Sequence, residues 1–232
     1  TCIGCGLCAR ICKKGAINYA QETESSELDV GAVIVATGAG LYDPSVTKKY
    51  RYDHPNVVTS AEFERILSAS GPYGGTVLRP VDGKRPKKIG FIQCVGSRNP
   101  NIGKELCSAV CCMYATKEAI VAKEHDPELD ITIFFIDMRA YGKGFEEFTQ
   151  RAVDEYGVKY IRCEVPEVAV NEDTQNLTVS YEDPVDNQLK TMDLDMLVLS
   201  VGLTPPEILP SLQDIMGLKL DEFGYVDTRL TK

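Results

Sequence analysis

Eight of the nine cysteines of this 232-residue chain fall into two groups of four. The first is Cys2, Cys5, Cys8 and Cys12, with two, two and three residues between neighbours. The second is Cys94, Cys107, Cys111 and Cys112, and only Cys163 stands apart. Thiolates gathered in fours select soft metal centres, and the chemistry of iron–sulfur centres is the movement of electrons rather than protons.

The spacing C-x2-C-x2-C-x3-C is the one bacterial ferredoxins use for 4Fe–4S clusters. Its first three cysteines sit in one tight loop, where Gly4 and Gly6 let the backbone wrap closely and turn amides toward sulfur. The fourth usually ligates the other cluster of a pair. Cys2, Cys5 and Cys8 therefore need a fourth ligand, and Cys12 needs three companions. The expectation is a partner run upstream of Thr1. Lys13 follows Cys12 where proline is usual. The competing reading is a structural zinc knot, although zinc sites pair C-x2-C units across a longer gap.

The elements that must position the second group follow from the apolar pattern. Residues 20–29 are polar and read as a linker. The run 30–38, Val-Gly-Ala-Val-Ile-Val-Ala-Thr-Gly, has the composition of a buried parallel strand feeding a turn. A short helix over 60–67 with Ser60 as its cap is predicted, then a Gly- and Pro-rich loop over 71–86. From Lys87 the pattern alternates: strand 88–93, helix 103–124, strand 131–137, helix 145–156 and strand 158–162. Shorter strands follow near 165–170, 177–182 and 189–192, and an apolar strand over 195–201. The layout resembles an α/β fold of the FAD/NAD(P)-binding, thioredoxin-reductase-like type, which implies a parallel-sheet domain with a β-meander, plus a small ferredoxin-like segment. The expected divisions are a partial 4Fe–4S segment over 1–20, a flavin-domain fragment and connector over 28–86, a nucleotide-binding-like domain carrying a second cluster over 87–192, and a truncated return to the flavin domain over 193–232.

In such a domain the first strand should end in G-x-G-x-x-G, so that backbone can approach a pyrophosphate. Here it ends Phe91-Ile-Gln-Cys-Val-Gly-Ser97, with a cysteine in the place of the first glycine. Ordinary dinucleotide binding is not expected there, and Asp137, where an acid would meet a ribose, reads as a cap. If 102–124 is helical, Cys107 and Cys111 lie one turn apart beside Cys112, facing Cys94. The phosphate site then becomes a metal site, with the helix N-terminus favouring anionic sulfur. Buried free thiols or a Cys94–Cys107 redox disulfide remain the alternatives.

The chain resembles the A subunit of heterodisulfide reductase, the flavin-containing iron–sulfur component of electron-bifurcating complexes. The likeness is carried by the cysteine motif at 2–12, by 30–38, and by Pro55-Asn-Val-Val-Thr-Ser-Ala-Glu-Phe-Glu-Arg65. Its most specific part is Phe91-Ile-Gln-Cys-Val-Gly-Ser-Arg98 followed by Cys107 and Cys111-Cys-Met-Tyr-Ala-Thr-Lys117. The resemblance implies that Cys94, Cys107, Cys111 and Cys112 ligate an unusual 4Fe–4S cluster beside FAD, with Lys117 as the catalytic residue near the flavin ring. It implies that Thr37, Gly38 and Gly202 border the flavin. The chain contains no G-x-G-x-x-G for the FAD pyrophosphate, so its FAD site is incomplete.

The implied function is that of a cytoplasmic electron-transfer component of a hetero-oligomer, relaying electrons between FAD and 4Fe–4S clusters in flavin-based electron bifurcation and methanogenesis. The implied partners are the other subunits of such a complex, with ferredoxin, hydrogenase or formate dehydrogenase as electron donors. Rival readings are a component of a quinone-interacting membrane-associated oxidoreductase, a flavin-dependent thiol–disulfide oxidoreductase, and a scaffold with structural clusters. Composition narrows the choice. A net charge of −9 argues against a nucleic-acid backbone as partner. The longest apolar runs, 32–36 and 131–136, are far too short to span a bilayer. Nine cysteines without a secretory signal read as metal or redox sites rather than a disulfide framework. His54, His125, Arg139, Lys143 and Cys163 read as structural or solvated.

Overall fold

The structure, a computed structural model, describes residues 4–228. Cys2 lies outside them. The chain divides into two compact units, Thr1–Ala36 and Thr37–Lys232.

In the smaller unit, helix α1 (Leu7–Ile11) starts from Gly6, whose φ of 68° is left-handed, and ends at Cys12. The described residues of this unit contain no strand. The strand expected over 30–38 is thus not formed: Val30, Val33 and Ile34 are 62%, 61% and 91% exposed. A β-branched run becomes a buried strand only where a neighbouring strand takes up its amides, and none does so here.

The larger unit opens with β1 (Gly40–Leu41), two 3-10 turns, β2 (Val57–Thr59) and α2 (Ser60–Leu67). Thr59, not Ser60, caps α2. Its hydroxyl accepts from the Glu62 amide at 3.3 Å, while the Glu62 carboxylate accepts from the Thr59 amide at 2.7 Å, a reciprocal capping box. The chain continues through β3 (Lys88–Val95), α3 (Cys111–His125), β4 (Asp130–Phe135), α4 (Phe145–Asp154) and β5 (Lys159–Arg162). Then come β6 (Val168–Asn171), β7 (Asn176–Glu182), β8 (Leu189–Leu194), β9 (Met196–Val201), β10 (Leu203–Thr204) and α5 (Leu209–Met216).

Five strands form a parallel sheet in the order β2-β9-β3-β4-β5. Strands β6, β7 and β8 form the antiparallel meander. The α/β class is therefore as predicted. The last strand of this sheet in the chain, β9, lies inside it, hydrogen-bonded to both β2 and β3. All six of its residues are buried, which is why it reads as an unbroken apolar run. Strand alternation splits the core in two. Ile89, Phe91, Met196 and Val198 pack under α2, α3 and α4, with Phe63 meeting Phe91 edge to face at 5.5 Å. Ile92, Val95, Leu197, Leu199 and Val201 pack against the meander and Tyr42 and Tyr50.

The helix expected over 103–124 begins only at Cys111. Residues 97–108 fold back as a loop instead. The Arg98 amide donates to the Leu106 carbonyl at 3.0 Å, and Asn99 and Lys104 exchange backbone bonds. Ala109, with a φ of 60°, breaks any helical continuation.

On α3, Glu118 is 3% exposed, and its Oε2 has no protein partner. Burial first, and Glu64 second, push its carboxyl up to about 9, with Lys117 pulling partly back. A carboxyl whose folded pKa lies above its unfolded one contributes stability that is full below about 4.5 and lost as pH rises through about 9. Unfolding free energies of Glu118→Gln from urea titration should thus change less between pH 5 and 9 than those of the parent, and exceed them at pH 8 by on the order of 1 kcal/mol or more. Curves that run parallel would contradict a neutral buried carboxyl. Thr59→Ala, which removes the capping box, should cost about 1 kcal/mol in the same assay at any pH in that range.

Candidate metal centre

At the C-terminal end of the sheet, β3 leaves its register with β9 between Ile92 and Val95. Cys94 sits in this irregularity with a φ of 61°, a left-handed conformation unusual for a side-chain-bearing residue. Holding it there costs about 1 kcal/mol or more. The fold keeps the backbone shape of a glycine turn but places a thiol on it.

Two glycines make the turn possible. A Cβ on Gly96 would strike the Tyr42 ring, and one on Gly202 would stand 2.9 Å from the Gly96 carbonyl and 3.0 Å from Ser97 Cβ and Ser108 Oγ. Two serines then fasten the loop carrying Cys107. Ser97 Oγ donates to the Leu106 carbonyl at 2.9 Å, and the Leu203 amide donates to Ser108 Oγ at 2.8 Å. Cys107 therefore comes from this loop and not, as its spacing suggested, from the helix of Cys111 and Cys112. Those two occupy the first positions of α3, after Val110.

The four thiols are neighbours: each of the six pairs is coupled electrostatically, with Cys111 feeling all three of the others. Desolvation is the leading influence on three of them. It raises Cys94 and Cys112, and pushes Cys111 up to about 11. Opposing contributions come from donors: Arg98 beside Cys94, the Arg139 amide on Cys112 Sγ at 3.4 Å, and the Tyr114 hydroxyl beside Cys111. The Ala109 amide donates to Cys107 Sγ at 3.3 Å. Backbone amides aimed at sulfur are the environment of cluster thiolates.

Among the described residues, no group of three or more His, Cys, Asp or Glu side chains is placed to hold a single metal ion. A four-iron cube binds each thiolate to a different iron, so its ligands stand farther apart than those of one ion. The donor set, its burial and its amide contacts fit such a cluster. Bound there, it supplies one-electron transfer.

Asp137 is not the cap its position suggested. It accepts from Arg98 at 2.7 Å and from Arg162 at 3.0 Å, and these two cations hold its carboxyl below the usual range. This clamps the arginine that lies against Cys94. Neither Arg98 nor the Arg139 amide was assigned to the site from the sequence, and only the adjacency of Arg98 to the turn hinted at it.

In the smaller unit Cys5 and Cys8 are exposed and Cys12 is partly exposed. The Ala16 amide donates to Cys12 Sγ at 3.4 Å, and it leads the backbone contacts that lower the pKa of this thiol and favour its thiolate.

Thr37 and Gly38 are exposed at the start of the larger unit. Two residues on, β1 pairs antiparallel with β10, Gly40 opposite Thr204, which brings this stretch toward Gly202. The Gly202 carbonyl accepts from the Tyr42 amide at 2.9 Å. Lys117 lies on α3 in an ion pair with Glu64 of α2, a partner not foreseen in the sequence; both side chains are about half exposed. Among the described residues no loop beside Thr37, Gly38 and Gly202 forms a pyrophosphate cradle, so these residues by themselves do not fit FAD.

No family model matches the chain. Curated relatives are close. It is 46% identical over 226 residues to the A subunit of the H(2):CoB-CoM heterodisulfide,ferredoxin reductase of Methanothermobacter marburgensis, covering 97% of this chain and 34% of that protein. It is 42% identical to the iron-sulfur A subunit of the CoB–CoM heterodisulfide reductase of Methanocaldococcus jannaschii, again over 97% of this chain and 34% of the relative. Solved structures of similar shape include T. acidophilum thioredoxin reductase, at 16% identity and a TM-score of 0.46 over 83% of this chain and 50% of that one. The L-lysine 6-monooxygenase of Pseudomonas syringae gives 12% and 0.49 over 82% and 50%. By sequence the chain is a homologue of the heterodisulfide reductase A subunit, and it spans about one third of the length of those curated relatives.

Proposed function

We propose that this chain is the electron-relaying part of an oxidoreductase of the heterodisulfide reductase type. The observation that carries the reading is the set of four thiols at the end of β3 and the start of α3, where a dinucleotide-binding sheet would hold phosphate. The larger unit binds a 4Fe–4S cluster through Cys94, Cys107, Cys111 and Cys112. The smaller unit contributes Cys2, Cys5, Cys8 and Cys12 to ferredoxin-like clusters, Cys2 being outside the described residues.

The chain's own residues have separable tasks. Strand β3 and the 97–108 loop hold Cys94 and Cys107 against the helix start. Backbone amides and Arg98 offset negative charge on the sulfurs, and the buried sheet end excludes water. Lys117, Thr37, Gly38 and Gly202 form one border of a flavin site whose pyrophosphate loop this chain does not supply. The Lys117–Glu64 pair is exposed enough to open at little cost, which leaves the ammonium free to face a flavin ring.

The relatives' names carry the wider proposal. One is named for ferredoxin and F(420)H(2), another for H(2) and formate. We assign this chain to a hetero-oligomeric complex with donors of that kind, in the cytoplasm and in flavin-based bifurcation. Among the described residues no helix is long and apolar enough to cross a membrane, which favours this reading over a membrane-embedded role.

Cys111→Ser is the direct test of the cluster assignment. After anaerobic purification the variant should lose the iron, sulfide and electron paramagnetic signal of one centre while the ferredoxin-like signal persists. An unchanged iron content and spectrum would sink the assignment. A redox-active Cys94–Cys107 pair without iron would put the thiol–disulfide reading in its place.

A further inference from the structure

Two buried side chains on the strands next to the thiols have polar atoms without any protein partner: Gln93, through both its amide oxygen and nitrogen, and Ser200 through its hydroxyl. Gln93 is 6% exposed and Ser200 is fully buried. The register pairs Phe91 with Val198 and Ile92 with Leu199 before it shifts, so Gln93 and Ser200 are each the next residue along two adjacent strands. By strand alternation both project to the face of Phe91 and Val198, the face covered by α2 and α3.

That is the face on which Cys111 sits. Its Sγ lies 3.7 Å from the Val201 carbonyl, the residue after Ser200, and the Tyr114 hydroxyl donates to the same carbonyl at 2.9 Å. Gln93 is the residue before Cys94. One strand thus carries an amide next in the chain to Cys94, and its neighbour carries a hydroxyl next in the chain to the carbonyl that Cys111 and Tyr114 contact. Leaving such groups buried and unbonded costs about 1–3 kcal/mol each, and an apolar pair would fill the space without that cost. An acceptor entering the site would offset that cost for the Gln93 NH2 and the Ser200 hydroxyl.

We propose that the Gln93 amide and the Ser200 hydroxyl donate hydrogen bonds to sulfur of the cluster held by Cys94 and Cys111, and that they set its reduction potential. This rests on the cluster reading above. On reduction one electron, supplied by a low-potential reductant, converts one ferric site to ferrous, and no covalent bond forms or breaks. Sulfur carries more negative charge in the reduced form, so each donor stabilises that form more and raises the potential.

The test is a dithionite titration of the intact, anaerobically purified protein, followed by electron paramagnetic resonance. Gln93→Leu and Ser200→Ala should each disfavour reduction of the Cys111-dependent centre about tenfold, which is about 59 mV for a one-electron couple. Iron and sulfide content should stay at the parent level, and the ferredoxin-like signal should not move. Ser200→Thr keeps the hydroxyl and should keep the parent potential. Because Ser200→Ala removes a single oxygen atom from a strand, it serves as the readout if Gln93→Leu fails to fold. Cys111-dependent iron with an unmoved potential in the two apolar variants overturns this proposal alone. Absence of any Cys111-dependent iron overturns it together with the cluster reading.

Discussion

Everything at the site depends on how closely three stretches of backbone approach at the end of β3. The turn 94–97, the segment after β9 and the loop before α3 meet where a Cβ on Gly202 would stand 2.9 Å from the Gly96 carbonyl. No side chain fits there. The Ser97 and Ser108 hydroxyls take up the amides and carbonyls that this crossing would otherwise leave unpaired. The crossing fixes Cys94 in a left-handed conformation, brings Cys107 back along the loop, and delivers the chain to α3 with two cysteines in its first turn.

Electrostatics explains why such a site is built to be filled. Two of the four thiols are buried and two are half-buried, and burial makes three of them harder to ionise in the presence of the others. Thiolates are the ligand form, so ionising them requires compensating positive charge. In the proposed cluster, ferric and ferrous iron would supply most of it. The protein adds Arg98, clamped by Asp137, which Arg162 holds from the far side. The amides of Ala109 and Arg139 add directed dipoles. The polar groups of Gln93 and Ser200, which lack protein partners, face the same demand from the other side.

Much of this was legible in the residues. The alternation of strands and helices from Lys87 points to a parallel sheet because β9 and β3 are apolar with little interruption, and only a sheet covered on both faces needs that. The cysteine at the expected glycine of the turn pointed to a left-handed position, and Cys94 takes one. What failed did so for local reasons. Helical spacing suggested that Cys107 shares a helix with Cys111, but Ala109 and the backbone bond between Arg98 and Leu106 stop the helix short. The run 30–38 has strand composition and no strand to pair with. Ser60 looked like the cap of α2, yet Thr59 has the Glu three residues on that closes the box. The Lys117–Glu64 and Arg98–Asp137 pairs join residues 53 and 39 positions apart, and no local pattern encodes contacts of that range.

The central claim is that one cluster occupies the turn where phosphate would bind. Anomalous scattering across the iron edge, on anaerobically grown crystals, measures this directly. The account predicts a four-iron peak enclosed by Cys94, Cys107, Cys111 and Cys112. Continuous sulfur–sulfur density between Cys94 and Cys107, with no iron peak, would contradict it.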